Sequence, residues 1–573
     1  MIGAMHKAPA RETWLFWIVA ILVIGAGIGL RDPWPADEPR FALVARQMVE
    51  SGNWLFPHRG VELYSDKPPM LMWLQAAFFS VLREWRVAFL LPSLLAALGT
   101  LWCVVDLGRR LWTPRVGLYA GWALLFAVQF TYQSKKAQID PLVTFWITLG
   151  NYGLLRHLLR GPDWRMWWLG WFAAGLGTIT KGVGVLALAM LLPALLATWR
   201  GWPGIALHAR SGGWRLWVAP LFFVLAACLW LVPMLSVALA SAEPQYRAYL
   251  DDILFRQTAG RYAKSWDHAK PPWYHLGVMA TMWLPALLAL PWALPAWRRR
   301  LARRDPRYLL PLAWWALVIV FFSIPSGKRD VYIMPALPMM CLALAPLLPG
   351  IVRRAWARRL AFAMALALAG IAFAAGAAMW WGEPKFEARL VAERGFTDGG
   401  RAAAGLLLAI GAFGLGALAW HRVRGGIPAL LWTLGGAWVL FGLVGYGLLN
   451  DSTSARAVMA RAERAIGPGG QLALVAWKEQ NLLMTTRPTT TFGFNMPWSE
   501  QLRRGMAWQA ADPARRWLFV QEPGLGNCVD TARAQLLGTA NRRRWWLVPA
   551  AAVIPGCVPS GVETQNEADD QDE

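Results

Sequence analysis

The chain has 573 residues, of which 57% are hydrophobic and only 16% are charged, and 38 of them are tryptophan. Because a soluble globular protein is about one quarter charged, this composition excludes a soluble fold and indicates a membrane protein with many spans. The formal net charge is +23. The arginines fall in short clusters between apolar runs, as expected of cytoplasmic loops, so the charge does not indicate nucleic-acid binding.

Apolar runs of roughly 17 to 25 residues follow one another through the first four fifths of the chain. The first run is too long for a cleaved signal peptide and is predicted to be a retained span. With the N-terminus in the cytoplasm, every cytoplasmic connection is rich in arginine, which fits the orientation rule. The sequence therefore predicts an all-α polytopic membrane protein of about thirteen transmembrane helices, near residues 13–30, 87–107, 115–132, 139–156, 166–180, 182–199, 214–238, 273–297, 308–324, 330–350, 357–380, 401–420 and 427–449.

The first outer loop, residues 31–86, carries acids and bases at two points between apolar segments. Apolar residues recur in its first half at helical spacing, and Pro39 precedes them where the first turn of a helix accepts proline. The pattern predicts an amphipathic helix on the outer membrane surface, with Asp37 at or near its cap. Residues 70–82 are apolar but too short to span, so they are predicted to lie at the interface. The apolar stripe of the helix is Phe41, Val44, Ala45, Met48 and Val49.

From Asn450 onward the composition changes to that of a small α/β domain. A helix is predicted at 455–465, and short apolar strands are predicted at 471–477, 517–521 and 545–549. An odd number of spans puts this domain on the outer side of the membrane. The predicted parts are a membrane domain at 1–449 with large outer loops at 31–86 and 239–272, an outer α/β domain at 450–560, and a disordered acidic tail at 561–573.

The five cysteines show no metal-ligand spacing. Three of them lie in apolar segments. Cys528 and Cys557 share the C-terminal region and can form a disulfide if that region faces an oxidising compartment, a point that the sequence leaves open.

Charged and aromatic residues collect on the outer side under this threading. Partly desolvated charges beside a bilayer must find partners, so such a collection indicates a site. Two carboxylates and several cations at one face of a helical bundle suit transfer chemistry on an anionic lipid, because the cations hold the phosphate and a carboxylate takes a proton. The groups are Asp37, Glu38 and Arg40; Tyr64, Asp66 and Lys67; Lys135, Lys136 and Asp140; and the 239–272 loop ending in His268 and Lys270, with the turn at 326–332.

Five motifs occur in order across residues 10–350. They are Asp37-Glu38-Pro39-Arg40-Phe41, Tyr64-x-Asp66-Lys67-Pro68-Pro69, Asp140 at the head of a span, His268 before Pro-Pro-Trp-Tyr, and Phe322-Ser323-x-x-x-Gly327-Lys328-x-x-x-Tyr332. Together they resemble the aminoarabinose transferase family, which belongs to the GT-C membrane glycosyltransferases together with the polyprenyl-phosphate-mannose protein mannosyltransferases.

The resemblance implies an inverting glycosyltransferase of a bacterial inner membrane, monomeric, with its active site facing the periplasm. The donor would be a sugar on undecaprenyl phosphate, and the favoured acceptor is a lipid A phosphate, with no cofactor required. A protein or another glycan is the alternative acceptor. A lipid-linked sugar transporter or a structural membrane protein is less favoured, because the acids lie at span ends and the clustered outer charges would have no use. The sugar cannot be read from the sequence.

The resemblance also implies roles for single residues. Asp37 matches the catalytic carboxylate and Asp140 a second functional acid. Lys67 matches the lysine on the donor phosphate, with Tyr64 and Tyr332 nearby and Arg40 and Lys270 as weaker matches. Asp66 and His268 stand where related enzymes have a glutamate and a histidine that hold a metal, Zn or Mg, although aspartate shortens the reach. Lys328-Arg329-Asp330 departs from the usual lysine, apolar residue, proline.

Each of these residues also has an ordinary interpretation. Asp37 and Asp140 could cap the helices that follow them. Lys67 could be an interfacial lysine and Tyr64 and Tyr332 part of the aromatic belt. His268 could be a plain loop residue, and Lys135 and Lys136 a surface pair for lipid headgroups. Lys181, at an outer turn, is undecided.

Overall fold

Helices make up most of the chain before residue 455, and most strands follow it. The computed structural model describes residues 10–207, 213–254, 269–382, 388 and 398–560. The α-helices are Ala10–Gly25, Glu38–Ser51, Met70–Leu82, Trp85–Ala88, Leu91–Leu111, Pro114–Leu125, Val128–Ser134, Ile139–Arg160, Trp164–Thr178, Leu191–Trp199, Gly213–Trp217, Ala219–Ala240, Pro244–Asp251, Tyr274–Met282, Leu290–Ala302, Pro306–Ser323, Leu337–Leu344, Leu348–Ile351, Ala355–Trp380, Arg401–His421, Gly426–Leu440, Tyr446–Thr453, Arg456–Ile466, Glu479–Leu483 and Trp498–Ala510. Short 3-10 segments lie at Gly182–Met190, Ala286–Ala289, Asp330–Ala336, Ala345–Leu347, Val423–Gly425, Glu522–Leu525 and Ala550–Ala552, with a π-helical turn at Phe441–Gly445.

Among the described residues, eight helices are long and apolar enough to cross a membrane, or nine if a pair bent by 95° counts as one span. The predicted count of thirteen is not confirmed. The other predicted runs, near 13–30, 115–132, 139–156 and 166–180, are helical too. Three of them form helices shorter than 18 residues, and Ile139–Arg160 is long enough but carries several polar residues. The eight are Trp85–Leu111, Gly182–Trp199, Gly213–Ala240, Pro306–Ser323, Asp330–Ile351, Ala355–Trp380, Arg401–His421 and Val423–Thr453; the bent pair is Tyr274–Met282 with Ala286–Ala302.

The amphipathic helix predicted in the first loop is present at Glu38–Ser51, with a proline in its first turn. Its stripe is buried against the apolar helix Met70–Leu82. The loop between these helices forms a small hairpin, in which β1 (His58–Arg59) pairs antiparallel with β2 (Glu62–Leu63). Gly60 at the hairpin turn has a φ of +67°, a conformation that favours glycine. A Cβ at this position would also meet the Trp477 ring at 3.1 Å, so the close packing of the turn favours glycine as well.

Asp32 joins the first loop to the end of the membrane region. Its carboxylate accepts hydrogen bonds from Asn450 Nδ2 at 2.8 Å, Arg456 Nε at 2.8 Å and Arg86 Nε at 2.9 Å. Burial alone raises the pKa of this carboxyl, but these donors outweigh burial and hold the pKa well below its ordinary value. The buried, ionised Asp32 therefore ties three separate segments together.

The C-terminal region contains one five-stranded sheet in the order β4-β3-β5-β7-β6. β3 runs parallel to β4 and β5, and β7 runs antiparallel to β5 and β6. Alternate side chains of β3 and β5 pack on opposite faces, with Arg456–Ile466 covering one face and Trp498–Ala510 the other. The strands are β3 (Gln471–Val475), β4 (Thr489–Thr491), β5 (Arg516–Gln521), β6 (Gln535–Ala540) and β7 (Arg543–Val548).

The strands predicted at 471–477, 517–521 and 545–549 correspond to β3, β5 and β7. The helix predicted at 455–465 corresponds to Arg456–Ile466. β4 and β6 were not predicted, because one is only three residues long and the other is interrupted by Gly538 at a register shift. Cys528 and Cys557 form a disulfide, with their Cα atoms 5.5 Å apart.

Candidate active site

Asp37 stands at the N-cap position of the helix Glu38–Ser51, but its side chain makes no capping hydrogen bond. Its Oδ2 instead accepts from Gln138 Nε2 at 3.1 Å and lies 3.4 Å from Arg329 Nη2. Its Oδ1 lies 3.8 Å from Arg40 Nη1. The capping interpretation of Asp37 is therefore wrong, because the carboxylate is turned toward groups from other elements.

Glu38, the next residue, has entirely different surroundings. It is 3% exposed and forms a two-point ion pair with Arg31, in which Nη2 lies 2.7 Å from Oε1. The backbone N–H groups of Trp34 and Ala137 each donate to its carboxylate at 2.8 Å. A buried carboxylate with four donors is structural, so of the two adjacent acids only Asp37 is available for chemistry.

A row of alternating charges extends from Asp37 toward the C-terminal region. Arg40 Nε lies 3.1 Å from Glu479 Oε1, the same Glu479 oxygen lies 3.6 Å from Arg59 Nη1, and Arg59 Nη1 lies 3.8 Å from Asp66 Oδ2. Burial alone lowers the pKa of Arg40, but nearby acidic groups, led by Glu479, raise it above its ordinary value, so Arg40 stays charged. We call Asp37, Arg40, Glu479, Arg59 and Asp66 the charged row.

Asp140 lies two residues after Gln138, the residue that donates to Asp37. Its Oδ1 lies 2.7 Å from Lys181 Nζ, and that amino group lies 4.9 Å from the centre of the Tyr332 ring. Burial lowers the pKa of Arg329, but the carboxylates of Asp37 and Asp140 raise it by more, so the guanidinium of Arg329 interacts with the charges of both acids. The structure thus brings together the two acids that the sequence predicted.

Asp140 is the second residue of the helix Ile139–Arg160, and Gln138 holds the N-cap position. The capping interpretation of Asp140 therefore has no support in its position. Its carboxylate accepts a hydrogen bond from Lys181. The sequence left the role of Lys181 undecided, and this contact places Lys181 in the site.

Tyr64 is only 1% exposed, so it lies inside the protein and the aromatic-belt interpretation is wrong for it. Its ring lies 5.5 Å from the Arg59 guanidinium carbon, and burial raises the pKa of its phenol. In the described part of the chain its hydroxyl has no hydrogen-bond partner.

Lys67 is half-buried and directly follows Asp66, at the far end of the charged row. Asp37 and Lys67 therefore lie at the same end of the bundle.

The metal prediction concerns Asp66 and His268. His268 lies outside the described residues, and the Asp66 carboxylate faces Arg59. Among the described residues there is no group of three or more His, Cys, Asp or Glu side chains placed to hold a metal ion. A metal at this pair stays a prediction.

Lys270 is exposed, and none of the described contacts of the charged row involves its side chain. Its backbone N–H donates to the carbonyl of Ser326 at 3.0 Å, so it pairs two loops. Lys328 is buried, and its amino group donates to the Lys270 carbonyl at 3.0 Å. These two lysines are therefore seen in loop packing, whereas Arg329, their neighbour, reaches Asp37.

A family model described as dolichyl-phosphate-mannose-protein mannosyltransferase matches residues 66–230. Two curated relatives are named undecaprenyl phosphate-alpha-4-amino-4-deoxy-L-arabinose arabinosyl transferase. The one from Pseudomonas aeruginosa (strain LESB58) is 34% identical over 318 residues, covering 54% of each chain. The one from Erwinia tasmaniensis is 30% identical over 350 residues, covering 58% of this chain and 59% of the relative. The chain thus spans a little more than half the length of the curated relatives it matches.

The solved structure of ArnT from Cupriavidus metallidurans bound to undecaprenyl phosphate superposes on this chain with a TM-score of 0.71. Sequence identity is 18%, and the match covers 96% of this chain and 100% of that one, so the fold is shared. Over a little more than half of its length the chain is similar in sequence to these arabinosyl transferases, and it shares the fold of ArnT. It is a multi-pass membrane protein.

The structure places in the site several residues that sequence reasoning did not assign. Glu479, Arg59 and Arg329 each contact a predicted residue. The sequence held a signal for Glu479, since four polar residues, Lys478-Glu479-Gln480-Asn481, directly follow the apolar run at 471–477. The structure buries all four. Polar residues at the carboxyl end of a parallel strand often line a site.

Lys135 corrects another expectation. It is 5% exposed, and its Nζ donates to the carbonyls of Val23, Ile24 and Ala26 at 3.0, 3.2 and 2.8 Å. Burial, with a smaller effect from Arg31, lowers its pKa to about 7. Its role as a surface lysine for lipid headgroups is therefore wrong, because the amino group satisfies the last carbonyls of the first helix.

Proposed function

We propose that this chain transfers a sugar from undecaprenyl phosphate to a phosphate of lipid A at the periplasmic face of a bacterial inner membrane, with inversion at the anomeric carbon. The observation that carries the proposal is the Asp37 carboxylate, which does not cap its helix and lies between two guanidinium groups at the end of a membrane bundle. The names of the relatives supply the substrate class.

The donor side of the site consists of Lys67 and the residues around it. The negatively charged donor phosphate would rest on Lys67 and Arg40, with Tyr64 and Tyr332 nearby. As the bond between the anomeric carbon and the phosphate oxygen breaks, undecaprenyl phosphate gains negative charge, and these cations stabilise it. Because Tyr64 is buried, its hydroxyl reaches the phosphate only if side chains around it move.

The acceptor side consists of Asp37, Asp140 and Arg329. An acceptor oxygen would attack the anomeric carbon from the face opposite the lipid phosphate, so one bond forms as the other breaks and the configuration inverts. If the acceptor carries a proton, Asp37 takes it. If the acceptor is an ionised phosphate, Arg329 and Arg40 neutralise its charge beside Asp37, and Asp37 mainly orients the acceptor.

The disulfide between Cys528 and Cys557 supports the proposed orientation, because such bonds persist in the periplasm and are rare in the cytoplasm. The proposed periplasmic location of the α/β domain rests on the same argument, and a monomer is the proposed working unit. No metal is required by the proposed steps.

A second candidate acceptor is a protein or another glycan. It is favoured by the match of residues 66–230 to the mannosyltransferase model, a segment that includes Lys67 and Asp140. The chemistry at the anomeric carbon would be the same, and only the acceptor would differ.

The test compares the envelope of cells with and without this chain. Mass spectrometry of lipid A should show a sugar added to a phosphate only when the chain is present, and purified protein should transfer that sugar from undecaprenyl phosphate in vitro. Modified protein or glycan with unchanged lipid A would favour the second candidate. Equal turnover of lipid-linked sugar in membranes with and without the chain would contradict a transferase of either kind.

A further inference from the structure

Glu479 belongs to the C-terminal α/β region, yet its side chain lies inside the charged row. It is 4% exposed, and a single carboxylate oxygen, Oε1, approaches Arg40 Nε at 3.1 Å and Arg59 Nη1 at 3.6 Å. Arg40 comes from the helix Glu38–Ser51 and Arg59 from β1. A residue more than four hundred positions away therefore holds two cations of the first loop.

The contacts around Glu479 show a built interface. The Arg59 guanidinium lies 3.9 Å from the centre of the Phe494 ring and donates to Asn495 Oδ1 at 3.1 Å. Arg46 Nη1 donates to the carbonyl of Leu483 at 2.7 Å, at the end of the helix that begins with Glu479. The C-terminal region is thus seated on the first loop by several independent polar contacts.

We propose that Glu479 is a positioning residue of the active site, which holds Arg40 in place for the donor phosphate and pairs with Arg59 beside it, so that the site is incomplete without the C-terminal region. This inference rests on the proposed function. Arg40 is shared between Glu479 at 3.1 Å and Asp37 at 3.8 Å. The nearer carboxylate keeps the guanidinium from closing onto Asp37.

When Glu479 is replaced, the sign of the change in phosphate binding distinguishes a positioning role from a purely electrostatic one. If Glu479 acts only through its Coulomb repulsion of the phosphate, removing its negative charge should tighten phosphate binding. If Glu479 positions the arginines, its removal lets Arg40 pair fully with Asp37 and leaves Arg59 with the more distant Asp66, so phosphate binding weakens. The sign of the change therefore identifies the role.

The experiment uses the full chain in lipid nanodiscs and undecaprenyl phosphate as the probe. Glu479→Gln keeps the shape and removes the charge, and Glu479→Asp keeps the charge. Arg46→Gln is the matched control, because it removes a contact between the same two helices without touching the charged row. Equilibrium binding is measured by native mass spectrometry, kcat by sugar transfer, and folding by the melting temperature.

We expect Glu479→Gln to weaken undecaprenyl phosphate binding about tenfold and to lower kcat, since small displacements of positioned groups have effects of this order or larger. Glu479→Asp should recover most of the affinity, and Arg46→Gln should bind as the wild type does even if it melts earlier. Unchanged or tighter binding by Glu479→Gln, or an equal loss in Arg46→Gln, would overturn the positioning role. A wild-type protein that neither binds the probe nor transfers sugar would instead overturn the proposed function and this inference with it.

Discussion

Replacing Asp37 by asparagine is the most direct test of the proposed chemistry. Asparagine keeps the shape of the side chain and removes its charge. The amide can still accept from Gln138, which now donates at 3.1 Å, so the start of the helix Glu38–Ser51 should stay in place. What disappears is the carboxylate between Arg329 and Arg40.

The structure lets the effects on stability and on rate be compared. At 3.4 and 3.8 Å, each ion pair of Asp37 is worth about 4–5 kcal/mol of gross attraction at an effective dielectric constant near 20. Desolvation and exposure offset most of it, because the Arg329 and Arg40 side chains are 43% and 30% exposed, so the net loss of folding free energy is about 1–2 kcal/mol in total. Loss of a positioned base lowers rate by about 10²–10⁴-fold, or roughly 3–5 kcal/mol. The loss of rate should therefore exceed the loss of stability.

The matched control is Glu38→Gln, which changes the adjacent carboxylate. Glu38 and Arg31 have side chains only 5% and 2% exposed, and breaking a buried pair costs about 3–5 kcal/mol. Glu38→Gln should lower the yield and melting temperature while the folded fraction keeps most of its activity. The assay is sugar transfer per folded protein, with folding measured separately. A kcat for Asp37→Asn above about one tenth of the wild-type value would refute a catalytic role for Asp37.

Three further predictions concern other parts of the chain. Lys67→Ala should weaken undecaprenyl phosphate binding by about tenfold, because a charge-assisted contact of roughly 1.5 kcal/mol is lost, and an unchanged dissociation constant would count against it. Asp32→Asn should lower the melting temperature at neutral pH. Since the folded pKa of Asp32 lies below its unfolded value near 4, the difference in melting temperature between variant and wild type should shrink as the pH falls below about 4. A difference that does not change with pH would contradict the role of Arg456 and its neighbours. Cys557→Ser opens a loop of 29 residues and should destabilise the C-terminal region by about 3–4 kcal/mol in denaturant unfolding, whereas equal stability with and without reductant would exclude a structural bond to Cys528.

Local features of the first loop could be predicted from sequence alone. The helix Glu38–Ser51 follows from the spacing of its apolar residues and from Pro39, because these act within a few residues of one another. The strands β3 and β5 follow from short apolar runs bounded by polar residues. The membrane spans were harder, since helices inside the bundle such as Ile139–Arg160 carry polar side chains and fall short of a simple apolar criterion.

The partners of the site residues could not be predicted in the same way. Asp37 and Glu38 are adjacent and chemically alike, and nothing in their order says which one meets Arg31 in the interior. That choice depends on the backbone rotation at the start of a helix and on the segment around Ala137 and Gln138, about a hundred residues later, which donates to both carboxylates.

The partners of Glu479 could not be predicted from local sequence either, because they are still more distant along the chain. The sequence nevertheless contains a sign that Glu479 needs such partners. Its partners Arg40 and Arg59 lie in the first loop, so no periodicity connects them. Yet a buried charge demands an opposite charge, and a run of polar residues directly after an apolar strand is a local sign that such a demand exists. When one part of a chain holds cations in excess and a distant part holds a buried acid, pairing them is a physical hypothesis that can be made before a structure is known, and in this chain the two parts meet at the charged row.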